Sequence, residues 1–155
     1  MTTTAASPLD PARELMAFRA GGQEFCIDIM AIREIRGWSP ATPLPRTPSY
    51  VGGVINLRGA ILPIVDLSAR LGLGACEPDG RHVIMVVQIG DRSVGLLVEA
   101  VSEILIIRSS EVQPAPEIGS EDLKALIRGI VPRETRLLSI LDLTLLLPEV
   151  SAEAA

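Results

Sequence analysis

The sequence LMAFRAGGQEFCIDIMAIREI, residues 15–35, recurs later in the chain as IMVVQIGDRSVGLLVEAVSEI, residues 84–104, and the two blocks align without a gap. A second pair of blocks aligns equally well, with GVINLRGAILPIVDLSARL at residues 53–71 and GIVPRETRLLSILDLTLLL at residues 129–147. The loop between the blocks is longer in the second copy. Because the chain is duplicated, features of both copies are expected to serve the fold, and features of one copy are candidates for function.

Each copy has the pattern of two β-hairpins. The dipeptides at residues 21–22 and 90–91 are Gly-Gly and Gly-Asp, which favour the positive φ angles of tight hairpin turns between apolar-rich segments. A second hairpin is centred on residues 58–60 in the first copy and on residues 133–135 in the second. Many short strands with glycine and proline between them predict closed barrels or a sandwich, and a closed barrel removes most exposed strand edges.

Short helical turns are expected at matched places in the two copies. Asp66 is a candidate N-cap for a turn over residues 67–71, and Asp142 is the equivalent candidate for residues 143–147. Because both copies carry this aspartate, we interpret it as structural rather than catalytic. A further short helix is predicted within residues 120–127.

The duplication also predicts the domain organisation. We expect one domain over residues 13–148 that contains two similar barrel subdomains. The N-terminal strand is compatible with either barrel, and both chain ends are expected to be flexible because they lack periodic patterns. The predicted segments are barrel 1 at about residues 21–72, barrel 2 at about 82–148, the N-terminal strand at 13–20, and tails at 1–12 and 149–155.

Composition restricts the class of protein. Hydrophobic residues make up 48% of the chain and aromatic residues only 3%, so the core is predicted to be aliphatic. The net charge of −5 argues against a nucleic-acid-binding protein, which normally presents a basic surface. No apolar run approaches the roughly 20 residues that span a bilayer, so no direct membrane insertion is expected.

The same features predict a cytoplasmic protein. The N-terminal residues lack a basic start followed by an apolar stretch, so no signal peptide is predicted there. The cysteines, Cys26 and Cys76, form no C-x-x-C pair, and unpaired thiols suit a reducing compartment.

No recognisable catalytic chemistry is present in the sequence. The single histidine, His82, lacks metal-ligand neighbours at the usual spacing, and no nucleophile elbow, phosphate loop or metalloprotease motif occurs. We therefore predict a protein without catalytic residues, without a metal site and without a cofactor.

One turn distinguishes the first copy from the second. Residues 56–59 read NLRG, whereas the equivalent residues 132–135 read PRET. Gly59 permits a left-handed backbone, which would turn Arg58 outward, where its guanidinium could bind a carboxylate of a partner or of a neighbouring strand. The alternative, a solvated turn arginine, stays open. For Glu34 a structural role is as plausible as an interface role, because Glu103 occupies the equivalent position.

These residues carry a resemblance to a known family. The segment YVGGVINLRGAILPIVDL, residues 50–67, resembles the signature of CheW, the coupling protein of bacterial chemotaxis. Residues 22–37, 94–101 and 138–143 match the same family in the same order, so the resemblance extends over nearly the whole chain.

The resemblance implies an all-β fold of two SH3-like five-stranded β-barrel subdomains around a shared aliphatic core, with short helical turns. It implies a non-enzymatic adaptor that couples the cytoplasmic tips of methyl-accepting chemoreceptors to the regulatory domain of the CheA histidine kinase. Such a protein would be cytoplasmic and associated with receptor arrays at the inner face of the membrane.

The resemblance also implies which residues meet partners. Arg58 matches the functional arginine of the family on the NLRG turn, beside Asn56 and Gly59. Glu34 matches the associated acidic residue, and Ile32 falls at an apolar position associated with partner binding.

A receptor hairpin is expected to lay an apolar helical stripe into a groove between the barrels. The candidate groove residues are Ile29, Ile32, Val98 and Val101, and core packing is an equally good interpretation of each. Two other functions also stay open. One is an adaptor for a chemotaxis-like pathway that controls surface motility, biofilm or gene expression, and the other is a double barrel that binds a small ligand.

Overall fold

The computed structural model describes residues 10–116 and 121–146. Within them the chain forms ten β-strands, three short α-helices and two single 3-10 turns at Ile29–Ala31 and Ser109–Glu111. The strands are β1 (Ala12–Ala20), β2 (Gln23–Asp28), β3 (Ile32–Gly37), β4 (Val51–Leu57), β5 (Ala60–Asp66), β6 (Val83–Ile89), β7 (Arg92–Val98), β8 (Ala100–Arg108), β9 (Ile127–Arg133) and β10 (Arg136–Leu141). The helices are α1 (Leu67–Arg70), α2 (Glu121–Leu126) and α3 (Leu143–Leu146).

The strands form two five-stranded sheets, with the orders β3-β6-β7-β5-β4 and β8-β1-β2-β10-β9. Under the sequence repeat β3 corresponds to β8, β6 to β1, β7 to β2, β5 to β10 and β4 to β9. The two orders are therefore the same order. This confirms the predicted all-β fold of two duplicated five-stranded SH3-like barrels.

The predicted barrel boundaries are wrong, because each barrel takes strands from both copies of the repeat. One barrel consists of β3 to β7 and is continuous in sequence, and we call it the continuous barrel. The other combines β1 and β2 with β8, β9 and β10, and we call it the split barrel. A repeat in sequence fixes the period but not the strand at which a barrel begins, so residues 21–72 and 82–148 do not form separate barrels.

The chain passes between the barrels at two short connections. The 3-10 turn Ile29–Ala31 leads from β2 of the split barrel into β3 of the continuous barrel, and Glu99 alone separates β7 from β8. The N-terminal strand, for which either barrel was open, pairs with β2 and β8 of the split barrel.

The two barrels match in strand register. Met16 pairs with Ile27 in the β1–β2 hairpin, and the equivalent Met85 pairs with Leu96 in the β6–β7 hairpin. Each barrel also has a register shift on its first edge strand. In the continuous barrel the shift lies between Ile32 and Glu34 of β3. In the split barrel it lies where β8 pairs with Ala17 and Phe18 of β1.

The N-terminal tail ends earlier than predicted, because β1 begins within it. Ala12 already lies in β1, opposite Arg108. Before it, the carboxylate of Asp10 accepts hydrogen bonds from the backbone N–H and the hydroxyl of Ser110, at 2.7 and 3.0 Å. Residues 10–12 are thus held by contacts with the end of β8 and with the 3-10 turn that follows it, which no local sequence pattern predicts. The rest of the predicted tails, residues 1–9 and 149–155, lies outside the described residues.

Three apolar clusters stabilise the two barrels. The interior of the split barrel contains Leu15, Ala17, Cys26, Ile107, Val131 and Leu138. The interior of the continuous barrel contains Ile55, Leu62, Ile64, Ile84, Val86 and Leu97. The largest cluster joins the barrels and includes Phe18 and Ile27 from the split barrel with Val87 and Leu96 from the continuous one. The core is mostly aliphatic, as the composition predicts, and burial of its apolar surface also holds the barrels together.

The two capping aspartates have the structural role predicted for them. The carboxylate of Asp66 accepts a hydrogen bond from the N–H of Ala69 in α1 at 3.3 Å, and that of Asp142 accepts one from Thr144 in α3 at 3.0 Å. Arg70 at the end of α1 then donates to the carbonyl oxygens of Leu145 and Leu146 in α3. These two hydrogen bonds connect α1 to α3 and so fix the two barrels to each other.

Candidate functional site

The turn between β4 and β5 holds Arg58 outward on a constrained backbone. Arg58 has φ 52° and Gly59 has φ 89°, so both central residues of the two-residue turn are left-handed, as a type I′ hairpin requires. The side-chain oxygen of Asn56 accepts a hydrogen bond from the N–H of Gly59 at 2.8 Å and locks the turn. The sequence predicted the left-handed glycine, whereas the same conformation at Arg58 appears only in the structure.

Arg58 pairs with Glu34 of the same barrel. Its Nη2 donates to Oε1 of Glu34 at 2.5 Å, and Nη1 of Arg36 lies 3.9 Å from the other oxygen of that carboxylate. Glu34 and Arg36 are on β3 and Arg58 follows β4, and these are the outer strands in the order of the sheet. The ion pair therefore joins the two edges of the continuous barrel.

The pair stays accessible to a second protein. The Arg58 side chain is 69% exposed and the Glu34 side chain 31% exposed. The hydrogen bond from Arg58, followed by its charge and that of Arg36, lowers the pKa of Glu34, so this carboxylate is ionised at neutral pH. A planar guanidinium with a single carboxylate on one edge keeps further N–H donors for another acceptor.

The equivalent region of the split barrel is arranged differently. Glu103 of β8, the counterpart of Glu34, accepts a hydrogen bond from Nη1 of Arg136 at 2.8 Å. The same arginine also donates from Nε and Nη2 to Glu24 of β2, at 3.0 and 2.6 Å. The position of Arg58 is taken by Glu134, whose φ of 53° preserves the left-handed turn.

The two regions thus have opposite charge balances. In the continuous barrel two arginines surround one carboxylate, whereas in the split barrel two carboxylates surround one arginine. Both glutamates pair with an arginine of the second hairpin, so pairing supports a structural role for Glu34 and Glu103. The added role of Glu34 in an interface stays a prediction.

The structure separates the predicted groove residues. Ile29, Ile32 and Val101 are half-buried and pack against the cluster between the barrels. Val98 is 1% exposed inside that cluster. This corrects the expectation that Val98 lines a docking groove, because its side chain faces the shared core. For Val98 the core interpretation is right.

Sequence reasoning missed three contributors to this part of the molecule. Arg136 and Arg36 each approach a carboxylate of the β3 or β8 edge, and neither stood out because isolated arginines have no motif. Glu99 accepts a hydrogen bond from the N–H of Gly22 at 3.1 Å and so fastens the first hairpin of the split barrel to the chain crossing. The only available signal was the position of Glu99 between two apolar segments.

Among the side chains that the structure describes, in residues 10–116 and 124–146, no group of three or more His, Cys, Asp or Glu could hold a metal ion. His82 instead lies 3.2 Å from the carboxylate of Asp79, through Nδ1. No helix in that part of the chain is both long and apolar enough to cross a bilayer.

Known proteins of this architecture share the sequence pattern. Residues 14–151 match the family model described as a CheW-like domain. The chain is 54% identical to "Chemotaxis protein CheW" of Rhizobium meliloti (strain 1021) over the whole of both chains. It is 52% identical to "Probable chemotaxis protein CheW" of Rhizobium etli, with 92% of each chain covered.

A solved structure gives the same result. The crystal structure of scaffolding protein TtCheW from Thermoanaerobacter tengcongensis superposes with a TM-score of 0.80 at 26% sequence identity. The superposition covers 97% of this chain and 96% of the other. The fold is therefore that of a double-barrel scaffolding protein. The chain belongs to the CheW family.

Proposed function

We propose that this protein is a non-enzymatic adaptor that couples the cytoplasmic tips of chemoreceptors to the regulatory domain of a CheA-type histidine kinase. Membership of a family whose relatives bear the name chemotaxis protein CheW supports the pathway. The observation that carries the proposal is the exposed Arg58 on its turn, because the equivalent turn of the other barrel carries Glu134 instead.

Arg58 is suited to set the register of a partner. The left-handed turn and the bond from Asn56 hold its backbone, and Glu34 holds one edge of its guanidinium. A partner carboxylate that reaches the free donors would complete a bidentate contact. Such a contact at the rim of an interface contributes more to orientation and specificity than to total affinity.

The half-buried residues Ile29, Ile32 and Val101 supply an apolar surface near the barrel junction. A receptor helix with an apolar stripe would gain affinity by covering such a surface. We assign the bulk of the binding energy to contacts of this kind and the alignment of the helix to Arg58.

The test uses a matched pair of variants, Arg58→Ala and Glu134→Ala. Both replace a charged residue at the same left-handed turn position, one in each barrel, so any backbone cost of alanine is common to both. We expect Arg58→Ala to lose receptor-dependent kinase activation in a reconstituted mixture of this chain, a CheA-type kinase and receptor tips. Glu134→Ala should assemble like the unchanged protein.

The thermal unfolding midpoint separates the two interpretations of Arg58. If Arg58→Ala unfolds at a much lower temperature than Glu134→Ala, the arginine is structural and the proposal is wrong. Equal midpoints with equal kinase activation would also overturn it. A Glu34→Ala variant and the double variant complete a cycle: if Glu34 only orients Arg58, the double variant loses no more activity than Arg58→Ala alone.

A further inference from the structure

The split barrel contains a second surface with the character of a binding site. A cleft of about 400 Å³ opens at one end of this barrel. Its floor is aliphatic, and its lining includes arginines from three strands, Arg13 of β1, Arg108 of β8 and Arg128 of β9. We call it the arginine cleft, and its defining residues are Leu15, Ile107, Val112 and Ile140 on the floor with Arg13 and Arg128 on the rim.

The floor is continuous with the barrel interior. Leu15 and Ile107 belong to the buried cluster of the split barrel, and Val112 and Ile140 pack against it half-buried. The cleft therefore exposes the edge of a packed core rather than isolated surface residues. A ligand that covers it would bury aliphatic surface already held rigid by the strands, which favours binding through the hydrophobic effect.

Arg108 of this cleft already has a partner within the protein, whereas the side chains of Arg13 on β1 and Arg128 on β9 make no ion pair or hydrogen bond with the described residues. Arg133 and Arg136 of the following hairpin, by contrast, are paired with carboxylates. None of the described residues that line this cleft is a carboxylate. A local excess of positive charge on a chain of net charge −5 is complementary to an anionic group.

The cleft extends towards the other barrel. An adjoining cavity of about 290 Å³ shares Arg13, Leu15, Arg128 and Ile140 and continues to Ile89 of the continuous barrel. Two carboxylates, Asp28 and Asp142, lie in this second cavity, and both already accept backbone hydrogen bonds as helix caps. The two cavities together extend from the split barrel to the continuous one and carry arginines at one end, which suits a length of polypeptide better than a compact small molecule.

We propose that the arginine cleft binds an acidic, aliphatic segment of a partner protein. Aliphatic side chains of that segment would cover Leu15 and Ile140, and its carboxylates would pair with Arg13 and Arg128. Because the partner is acidic and this chain is acidic overall, the two arginines would decide where the segment docks. The arginine cleft itself contains neither Arg58 nor the apolar residues assigned to the receptor helix, so its occupancy is tested separately from the receptor–kinase coupling proposed above.

The first experiment titrates the ¹⁵N-labelled full chain with three short synthetic peptides, each acetylated and amidated. The test peptide is Glu-Leu-Glu-Leu-Glu, and the two comparison peptides replace Glu by Lys or Leu by Ser. We expect saturable shifts of the amide signals of Leu15, Ile107 and Ile140 with the test peptide alone. Equal binding of the lysine peptide, or shifts centred on residues 56–60 instead, would overturn the proposal.

A charge-matched pair of variants tests the arginines. R13A/R128A should weaken binding of the test peptide about tenfold, since two partly exposed ion pairs together contribute roughly 1.4 kcal/mol. R46A/R81A removes the same charge from two exposed positions away from the cleft and should bind like the unchanged chain. Equal weakening in both variants would reduce the effect to net charge and reject the site.

Self-association is the remaining alternative occupant. Without peptide, concentration-dependent broadening of the same signals that R13A/R128A abolishes would assign the cleft to a second copy of the chain. That result would also overturn the proposal of a partner segment.

Discussion

The continuous and the split barrel share a backbone plan and differ in the charges at their edges. Strand order, pairing register and the slip on the first edge strand are repeated. The glutamates of the edge strands, Glu34 and Glu103, are repeated as well. Their arginine partners come from different positions of the hairpin, since Arg58 is at the turn and Arg136 is at the start of β10. The fold needs a charge pair at this edge, but it does not dictate where the arginine stands.

The comparison also concerns the interiors. Gly95 of the continuous barrel corresponds to Cys26 of the split barrel, and each lies opposite an isoleucine of the parallel neighbour strand, Ile64 and Ile140. The difference is reversed at another interior position, where the continuous barrel has the larger residue, Val86, and the split barrel has Ala17. The two interiors are thus filled by different combinations of side chains within one register.

The largest expected effect is at Gly53 of β4, where the backbone of Thr42 packs closely against the strand. A Cβ at Gly53 would lie 2.4 Å from the carbonyl oxygen of Thr42, and the φ of 136° is itself strained for any other residue. We expect Gly53→Ala to lower the free energy of unfolding by about 3 kcal/mol or more. Urea unfolding at equilibrium measures this.

The equivalent Gly129→Ala is the control for that prediction. Its Cβ would meet Cγ1 of Val112 at 2.4 Å and the carbonyl oxygen of Gln113 only at 3.1 Å, so its closest contact is a side chain and its backbone contact is longer than that at Gly53. Its backbone lies outside the left-handed region, so the expected loss is smaller, about 1 to 2 kcal/mol. If Gly53→Ala and Gly129→Ala lose equal stability, the two close contacts are equivalent and the difference in φ has no energetic consequence.

The second prediction concerns the interior of the continuous barrel. A Cβ at Gly95 would lie 2.7 Å from Cδ1 of Ile64 and 2.9 Å from Cγ2 of Ile84, so Gly95→Ala should cost about 1 to 3 kcal/mol through overpacking.

Burial raises the pKa of the Cys26 thiol to about 12, so this thiol should react at pH 8 only when the split barrel opens.

That thiol can report whether the barrels unfold together. The experiment uses a Cys76→Ser background, so that only Cys26 can be labelled. If both barrels open together, Gly95→Ala should speed labelling of Cys26 by the same factor by which it raises the equilibrium constant for unfolding, because the cluster between the barrels couples them. An unchanged labelling rate would mean that the split barrel opens independently of the continuous one.

The smallest expected effect is on the charged edges. Arg136→Ala should lower stability at pH 7 by about 1 kcal/mol, because Arg136 belongs to a network with Glu24 and Glu103. The hydrogen bond from Arg136 holds the pKa of Glu24 below its ordinary value of 4.5. The ion pair between Glu24 and Arg136 therefore contributes stability above pH 4.5, and this contribution is lost as the pH falls through the lowered pKa of Glu24.

The measurement is urea unfolding of Arg136→Ala and the unchanged chain at neutral pH and well below the ordinary pKa of Glu24. The difference in stability between them should shrink at the lower pH. A difference that persists in acid would show that Arg136 acts through packing of its side chain rather than through the ion pairs. Arg58→Ala, whose pair is more exposed, should change stability less than Arg136→Ala.

Local sequence was sufficient for a large part of the fold and for part of the site. The duplicated blocks, the hairpin turns, the helix caps Asp66 and Asp142 and the turn that carries Arg58 all depend on residues close together in the chain. Hydrophobic periodicity and turn chemistry act at that range, which is why these features could be read directly. From the residues alone, the partner of Arg58 was anticipated only as a carboxylate of a partner protein or of a neighbouring strand, and the family resemblance was needed to associate Glu34 with it.

Only the tertiary structure decided how the repeat is divided into barrels. Similar hairpins fit either barrel equally well by pattern, and the choice depends on the short crossings at Ile29–Ala31 and Glu99. The same long-range packing placed Val98 in the shared core, brought Arg136 to two carboxylates, and formed the arginine cleft from β1, β8, β9 and β10. Sequence therefore determined the repeated unit and its turns. Contacts between distant strands determined which strands share a barrel and which side chains meet, because the free energy of burial depends on which surfaces come together in space.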